Sequence, residues 1–152
     1  MATTVLPDLT DTSALYLSVQ QFYARHMHLL DSGRAREWAG TFTPDGTFTA
    51  PGLDAPVRGR AALAAAVEQT HARLAASGET HRHWHGMVWV TPGPDGTAHV
   101  KCYGMVIAVD PAGTPRLHRH CLCEDVLTPA PAEPEGWLVA SRHVTPDAAP
   151  TP

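Results

Sequence analysis

Residues 23–48 read YARHMHLLDSGRAREWAGTFTPDGTF, and this stretch contains the signals that decide the fold. It begins inside a helix, because apolar residues recur at helical spacing from Leu15 to Leu30, after a possible cap at Asp11, Thr12 or Ser13. The Asp-Ser-Gly that follows is a good helix breaker, and a short second helix comes after it. Pro-Asp-Gly then predicts a turn before a short strand over residues 47–50.

In the chain that follows, the spacing of the apolar residues changes once, at Gly78. Gly59 precedes an alanine-rich helix from Arg60 to about Ser77. Beyond Gly78 the period falls from 3.6 to 2, which predicts strands separated by proline- and glycine-rich turns, over residues 80–91, 97–109, 115–127 and 137–144. Three helices followed by hairpin-linked strands predict an α+β domain, with the helices on one face of an antiparallel sheet.

The composition is that of a globular domain with no nucleic-acid or membrane partner. The chain has 152 residues, of which 43% are hydrophobic and 17% charged, with a net charge of −4 and no run of lysine or arginine. No apolar stretch approaches the roughly 20 residues of a membrane helix, and no signal peptide is recognisable. We therefore expect a cytoplasmic protein with one domain at 13–145, a flexible arm at 1–12 and a disordered tail at 146–152.

The three cysteines, Cys102, Cys121 and Cys123, favour buried thiols over disulfides. Their number is odd, and the last two lie two residues apart on a predicted strand, where they share a face. This pattern suits a reducing cytoplasm. The chain contains no C-x-x-C and no glycine-rich phosphate loop, so we expect no zinc knuckle and no nucleotide cofactor.

Ten histidines stand out, and five of them fall in the clusters H81-R-H-W-H and H118-R-H. Side chains alternate along a strand, so His81, His83, His85, Met87 and Trp89 are expected on one face. If that face points toward the helices, it lines a pocket. An imidazole takes or gives a proton near neutral pH, which makes the cluster a candidate acid–base site.

A metal site is the alternative interpretation of the second cluster. H118-R-H-C-L-C-E124 has the spacing of the first ligand motif of the cupin barrels, and alternation would point His118, His120 and Glu124 the same way. Two imidazoles and a carboxylate suit iron(II), manganese or zinc. The rest of a cupin pattern is missing, so this interpretation stays an alternative to a cofactor-free site.

Several stretches resemble the SnoaL-like branch of the nuclear transport factor 2-like superfamily. Residues 23–48 resemble its opening, V57-R-G-R-A-A-L the start of its third helix, R82-H-W-H-G-M its long strand, and C123-E-D-V-L with G136-W-L-V-A-S-R its closing hairpin. The resemblance covers residues 13–145 and is greatest to small tailoring proteins of bacterial aromatic polyketide pathways, including the actinorhodin type. It implies a cone-shaped fold, in which three N-terminal helices pack on a curved, mostly antiparallel sheet around a pocket. It also implies a homodimer formed through the outer face of the sheet.

The resemblance also implies a catalytic pair. H83-W-H-G matches the pattern around the catalytic histidine of scytalone dehydratase-like members, and Asp31 matches their aspartate at the end of the first helix. The chain departs from that pattern where those proteins carry tyrosines, because Leu30 and Ala50 occupy these positions. The expected reaction is a cofactor-free cyclisation, dehydration or isomerisation of an aromatic polyketide-like substrate. A binding or escort protein without catalysis is the rival interpretation, which the missing tyrosines favour.

The remaining candidate residues surround this pair. His118 or His120 is expected to polarise a carbonyl or relay a proton. Six residues are expected to contact the substrate: His26, Leu30, His85, Met87, Trp89 and Tyr103. Asp125 and Arg142, on adjacent predicted strands, are expected to form a structural salt bridge.

Overall fold

The computed structural model describes residues 12–50 and 52–147. Its three helices are α1 (Thr12–Asp31), α2 (Ala35–Ala39) and α3 (Arg60–Ser77). Its six strands are β1 (Phe42–Thr49), β2 (Val57–Arg58), β3 (Thr80–Pro92), β4 (Ala98–Val109), β5 (Pro115–Pro129) and β6 (Trp137–Pro146). The predicted arm lies outside the described residues except for Thr12, which begins α1. Of the predicted tail, Pro146 ends β6 and only Asp147 is described beyond it.

The six strands form one sheet in the order β2-β1-β6-β5-β4-β3. Neighbouring strands are antiparallel except β1 and β6, which run parallel. The helices cover the inner face of the sheet, and the core between them contains fully buried Phe22, Phe42, Leu127 and Val139. The predicted α+β arrangement of three helices on a mostly antiparallel sheet is confirmed.

The breaks between the helical elements follow from glycines in the left-handed region. Gly33 (φ +72°) follows α1, and its N–H bonds the carbonyl of Leu30, so the chain turns directly into α2. Gly78 (φ +69°) caps α3 in the same region, with its N–H bonded to the carbonyl of Ala75. These turns place the carboxyl end of α1, including Asp31, beside the start of β3.

The predicted turn at Pro44-Asp-Gly is instead an irregularity inside β1. Phe42 pairs with Val139 and Thr47 with Ser141, so β1 has extra residues between these pairs. A side chain at Gly46 would place its Cβ 2.9 Å from the Cβ of Phe42. The turn-forming residues therefore bend the strand without ending it, as bulges do.

A bulge in β3 reverses the predicted faces of two residues. Gly86 pairs with Tyr103 and Trp89 with Lys101, and Met87 has φ +49°. The inner side chains are therefore His81, His83, His85, Val88 and Val90. Because the extra residue shifts the alternation, Met87 and Trp89 lie on the outer face and are 77% and 66% exposed.

Tyr103 also lies on the outer face, opposite Gly86, and is 51% exposed. The expectation that Met87, Trp89 and Tyr103 contact a ligand inside the pocket is therefore wrong.

Within the described residues, no helix is long and apolar enough to cross a membrane.

Candidate active site

A cavity of about 380 Å³ lies between the helices and the inner face of the sheet. Apolar side chains line most of it, among them Met27, Leu30, Trp38, Leu63, Val67 and Val106. Histidines, arginines and one carboxylate interrupt this lining. A mostly apolar cavity with few polar groups is the usual form of a small-molecule site.

Asp31 and His83 form a close polar pair in the cavity wall. One carboxylate oxygen lies 2.6 Å from the ring Nδ1 of His83, and the other accepts the backbone N–H of His83 at 3.0 Å. The Asp31 side chain is 10% exposed and that of His83 is 30% exposed. The carboxylate orients the ring through Nδ1. Within the described chain, Nε2 makes no hydrogen bond, and it remains available to a ligand.

A second polar group surrounds His81. His81 Nε2 lies 2.8 Å from Glu79, Glu79 accepts a bond from Arg116 at 3.0 Å, and Arg116 donates to Nδ1 of His118 at 3.1 Å. The rings of His81 and His118 are 4.9 Å apart. Burial, and then the neighbouring His81, lower the pKa of His118. A neutral His118 whose Nδ1 accepts from Arg116 carries its proton on Nε2, so Nε2 can donate a hydrogen bond.

His85 lines the cavity at a more buried position. Its ring contacts that of Tyr23 edge-on at 5.0 Å, and its Nε2 lies 3.9 Å from the Sγ of Cys123. Burial, and then the positive charge of Arg142, lower the pKa of His85 to about 3. His85 is therefore neutral near pH 7 and is a poor proton acceptor there.

His26 does not reach the cavity, contrary to the prediction that it contacts the substrate. It is fully buried, with Nδ1 2.6 Å from the hydroxyl of Thr41 and Nε2 2.8 Å from Arg142. Because that hydroxyl donates to the carbonyl of Trp38, it accepts from Nδ1–H, and Nε2 accepts from Arg142. Burial, and then Arg142, lower the pKa of His26 well below its ordinary value. His26 is a neutral core histidine behind Arg142.

The predicted salt bridge between Asp125 and Arg142 is confirmed. The two side chains are buried and meet through bonds of 2.7 and 2.9 Å. The hydroxyl of Tyr23 donates to the same carboxylate at 2.8 Å. Arg142 therefore links the core network of His26 to the cavity wall, which it also lines.

A bulge in β5 separates the proposed metal ligands. Val106 pairs with Arg119 but Ile107 pairs with Leu117, so His118 is an extra residue on the bulged strand and lines the cavity. His120 lies on the outer face and bonds Asp147. The predicted convergence of His118, His120 and Glu124 is therefore wrong.

Glu124 lies on the outer face as well, where it forms an ion pair with Lys101 at 3.2 Å. The expectation that His120 acts inside the pocket is also wrong, because His120 pairs with Met105 in the regular part of the ladder and alternates with the inward Cys121.

The cavity thus brings together Asp31, Leu30, His83, His85 and His118, out of the ten candidate residues. The sequence did not predict several polar residues that also line the cavity, among them His71, Arg73, Arg119 and Cys121. A signal existed for His71, which is four residues after Val67 on the apolar stripe of α3, and whose Nε2 donates to the carbonyl of Leu30 at 2.7 Å. Arg119 had none, because the strand was expected to point His118 and His120 inward, whereas its inner face carries Arg119, Cys121 and Cys123 in regular alternation.

Comparisons with known proteins agree with this architecture. The chain matches the family model of the SnoaL-like domain over residues 11–143. It is 35% identical to a protein of Catenulispora acidiphila solved in complex with S-DNPA, covering 90% of this chain and 96% of that chain with a TM-score of 0.77. It is 31% identical to ActVI-ORFA of Streptomyces coelicolor, covering 88% and 98% with a TM-score of 0.77.

A third similar solved structure identifies the fold. It is an NTF2-like protein with a cystatin-like fold from Novosphingobium aromaticivorans, 31% identical over 95% of this chain and 94% of that chain, with a TM-score of 0.74. The predicted nuclear transport factor 2-like fold is confirmed. No curated protein sequence matches the chain.

Proposed function

The chain belongs to the SnoaL-like family, and on this basis we propose that it is a cytoplasmic tailoring enzyme for an aromatic polyketide or a related small molecule. The reaction is a cyclisation, dehydration or isomerisation that needs no cofactor. The contact between Asp31 and His83 at the wall of an apolar cavity is the observation that carries the proposal. The sequence resemblance to polyketide tailoring proteins supports the substrate class.

In this mechanism His83 is the general base and then the general acid. Asp31 accepts a hydrogen bond from Nδ1–H, so the lone pair of Nε2 faces the ligand and takes a proton from it. The carboxylate stabilises the imidazolium that forms, which then returns the proton to a leaving oxygen or to another carbon. His118, through Nε2–H, donates a hydrogen bond to a carbonyl oxygen on which negative charge develops.

A second candidate function is binding or escort of a reactive intermediate. It is favoured because Leu30 and Ala50 stand at the two positions where scytalone dehydratase-like members carry tyrosines. No tyrosine lines the cavity among the described residues. Without these hydroxyls, the mechanism assigns the polarisation of a carbonyl to His118.

S-DNPA, the ligand of the Catenulispora relative, is the probe that separates the two functions. We expect saturable binding by calorimetry. We also expect conversion of S-DNPA, or exchange of its carbon-bound hydrogen with D2O followed by mass spectrometry, to be faster with the protein than without it. Binding without conversion or exchange would contradict acid–base catalysis and would leave the escort function.

The outer face of the sheet supports the proposal of a homodimer. Large apolar side chains are exposed there, on β3, β4 and β5: Trp84, Met87, Trp89, Tyr103 and Leu117. A group of large exposed apolar side chains on one face is typical of an interaction site. We propose that a second copy of the chain covers it, as the family resemblance implies.

The Trp89→Lys variant is expected to lose this dimer, because it places a charge in an apolar interface. Light scattering after gel filtration should give twice the chain mass of 16.3 kDa for the unaltered protein and the single mass for the variant. Leu17→Lys is the matched control, since Leu17 on α1 is also 66% exposed but lies away from this face. A variant that keeps the dimer mass, or an unaltered protein that is monomeric, would exclude this interface.

A further inference from the structure

One cluster of side chains in the cavity floor has no part in the proposed reaction. Cys102 on β4 pairs directly with Cys123 on β5, and His85 on β3 is the neighbour of Gly104 on the other side of β4. A ring nitrogen of His85 and the Sγ atoms of Cys102 and Cys123 all lie within 4.8 Å of one another. His85 and Cys123 also line the cavity, so one side of the cluster is open to it.

The space for this cluster depends on Gly104. A Cβ at this position would lie 2.9 Å from the Sγ of Cys123 and 3.1 Å from that of Cys121, and 3.7 Å from the ring of His85. Gly104 does not have a positive φ, so its backbone conformation does not require glycine. The missing side chain instead allows the sulfur atoms and the imidazole to approach one another.

The polar atoms of the cluster are poorly satisfied. Nδ1 of His85 is buried and has no hydrogen-bond partner within the described residues. The distance of 3.9 Å between its Nε2 and the Sγ of Cys123 is at the long limit for a bond to sulfur. Nε2 therefore has no close hydrogen-bond partner among the described residues and faces a sulfur atom, which leaves it able to bind an ion together with that sulfur.

We propose that His85, Cys102 and Cys123 bind a thiophilic metal ion of the zinc class in the floor of the cavity. Thiolate and imidazole ligands select zinc or copper(I) over magnesium, calcium or manganese. In a tetrahedral zinc site, ligand atoms are about 3.5–3.8 Å apart, given Zn–S and Zn–N distances of about 2.3 and 2.0 Å. A contraction of roughly 1 Å or less brings the three atoms to that spacing, and the fourth position faces the cavity.

Charge also fits the proposed ion. Two thiolates and a neutral imidazole balance a dication, so the occupied site has no net charge to desolvate. Nearby, the charge of Arg142 is balanced by Asp125. The three ligands do not include Asp31 or His83, so the metal proposal and the proposed reaction can fail independently.

Cobalt(II) is the probe, because its thiolate complexes absorb strongly in the near ultraviolet and its tetrahedral complexes absorb in the visible. Full-length protein treated with a chelator and then titrated with Co2+ is expected to show both absorptions at one ion per chain, and Zn2+ should displace them. Elemental analysis of untreated protein gives the ion that is bound on purification. Absence of the thiolate absorption in the unaltered protein would overturn the proposal.

Variants locate the ion. Cys123→Ser and Cys102→Ser are each expected to weaken Co2+ binding by at least about 100-fold, since even the loss of outer-sphere partners costs 10- to 100-fold. Cys121→Ser is the matched control and should keep the absorption, because Cys121 lies outside the three-ligand group. Circular dichroism checks that each variant is folded. Absorption that survives in a folded Cys123→Ser variant, or that is lost in His120→Ala, would place the ion elsewhere and overturn the assignment.

Discussion

The His83→Ala variant is expected to lose about 100- to 10,000-fold in kcat while its affinity for S-DNPA changes little. This is the usual contribution of one general acid–base group. The ring is held by Asp31 through Nδ1, and its Nε2 makes no hydrogen bond within the described residues at the cavity. Alanine removes the proton acceptor but leaves the apolar cavity that supplies most of the binding. Steady-state kinetics and calorimetry with the same probe measure the two quantities.

His120→Ala is the matched control for this variant. His120 belongs to the same histidine-rich composition but lies on the outer face, where it bonds Asp147. It should therefore keep the kcat of the unaltered protein. Equal kcat for His83→Ala and the unaltered protein would contradict the proposed role of His83, whatever the affinity.

Asp31→Asn tests whether Asp31 acts through His83. The asparagine oxygen can still accept the backbone N–H of His83, but its charge no longer stabilises an imidazolium. A fall in kcat with a changed pH profile and an unchanged melting temperature is the expected result for a positioning residue. A fall in melting temperature alone would indicate a structural role.

Arg142→Met is expected to lower the free energy of unfolding by about 3–5 kcal/mol, the largest stability effect that we expect from one substitution. Removing one partner of a buried pair leaves the other charge without compensation, and this is the usual magnitude. Arg142 is 3% exposed and Asp125 is 2% exposed. Methionine keeps much of the side-chain volume, so the loss of charge accounts for most of the effect. Urea unfolding followed by circular dichroism measures it.

The double variant Asp125→Leu/Arg142→Met should be more stable than Arg142→Met, because it removes the uncompensated carboxylate as well. Arg34→Ala is the control, since Arg34 forms an exposed ion pair with Glu37 and its loss should leave the unfolding free energy nearly unchanged. An unfolding free energy of Arg142→Met close to that of Arg34→Ala would show that the pair is not important for stability.

The positions of the helices and of β3 to β6 were predictable because their signals are local, whereas β1 begins at Phe42, before the predicted strand, and β2 was not predicted. Gly78 marks both the end of α3 and the change of period, and it caps the helix in the left-handed region. The break after Asp31 has the same cause at Gly33. The pairing of Asp31 with His83 is a different case: the two residues are 52 positions apart, and the family resemblance predicted that they belong to one site.

The composition of the cavity wall was less predictable, because it depends on strand faces. The alternation rule placed His81, His83 and His85 correctly, and it failed after Gly86 because Met87 is an extra residue in a left-handed conformation. The same rule failed at His118 in β5. In β3 the isolated Gly86, directly before Met87, was a signal for a bulge, because glycine inside a strand often marks one. His118 in β5 has no glycine or proline beside it, so its bulge had no such signal.

The sequence by itself determined the order of the elements, the ends of the helices, the family and the candidate pair of Asp31 and His83. Only the tertiary structure decided that His118 faces the cavity while His120 and Trp89 face outward, and that His26 is a core residue. The physical reason is that a bulge is stabilised by pairing with a distant strand and by packing under the helices. Those interactions join β3 and β5 to β4, and they exist only when the sheet has formed.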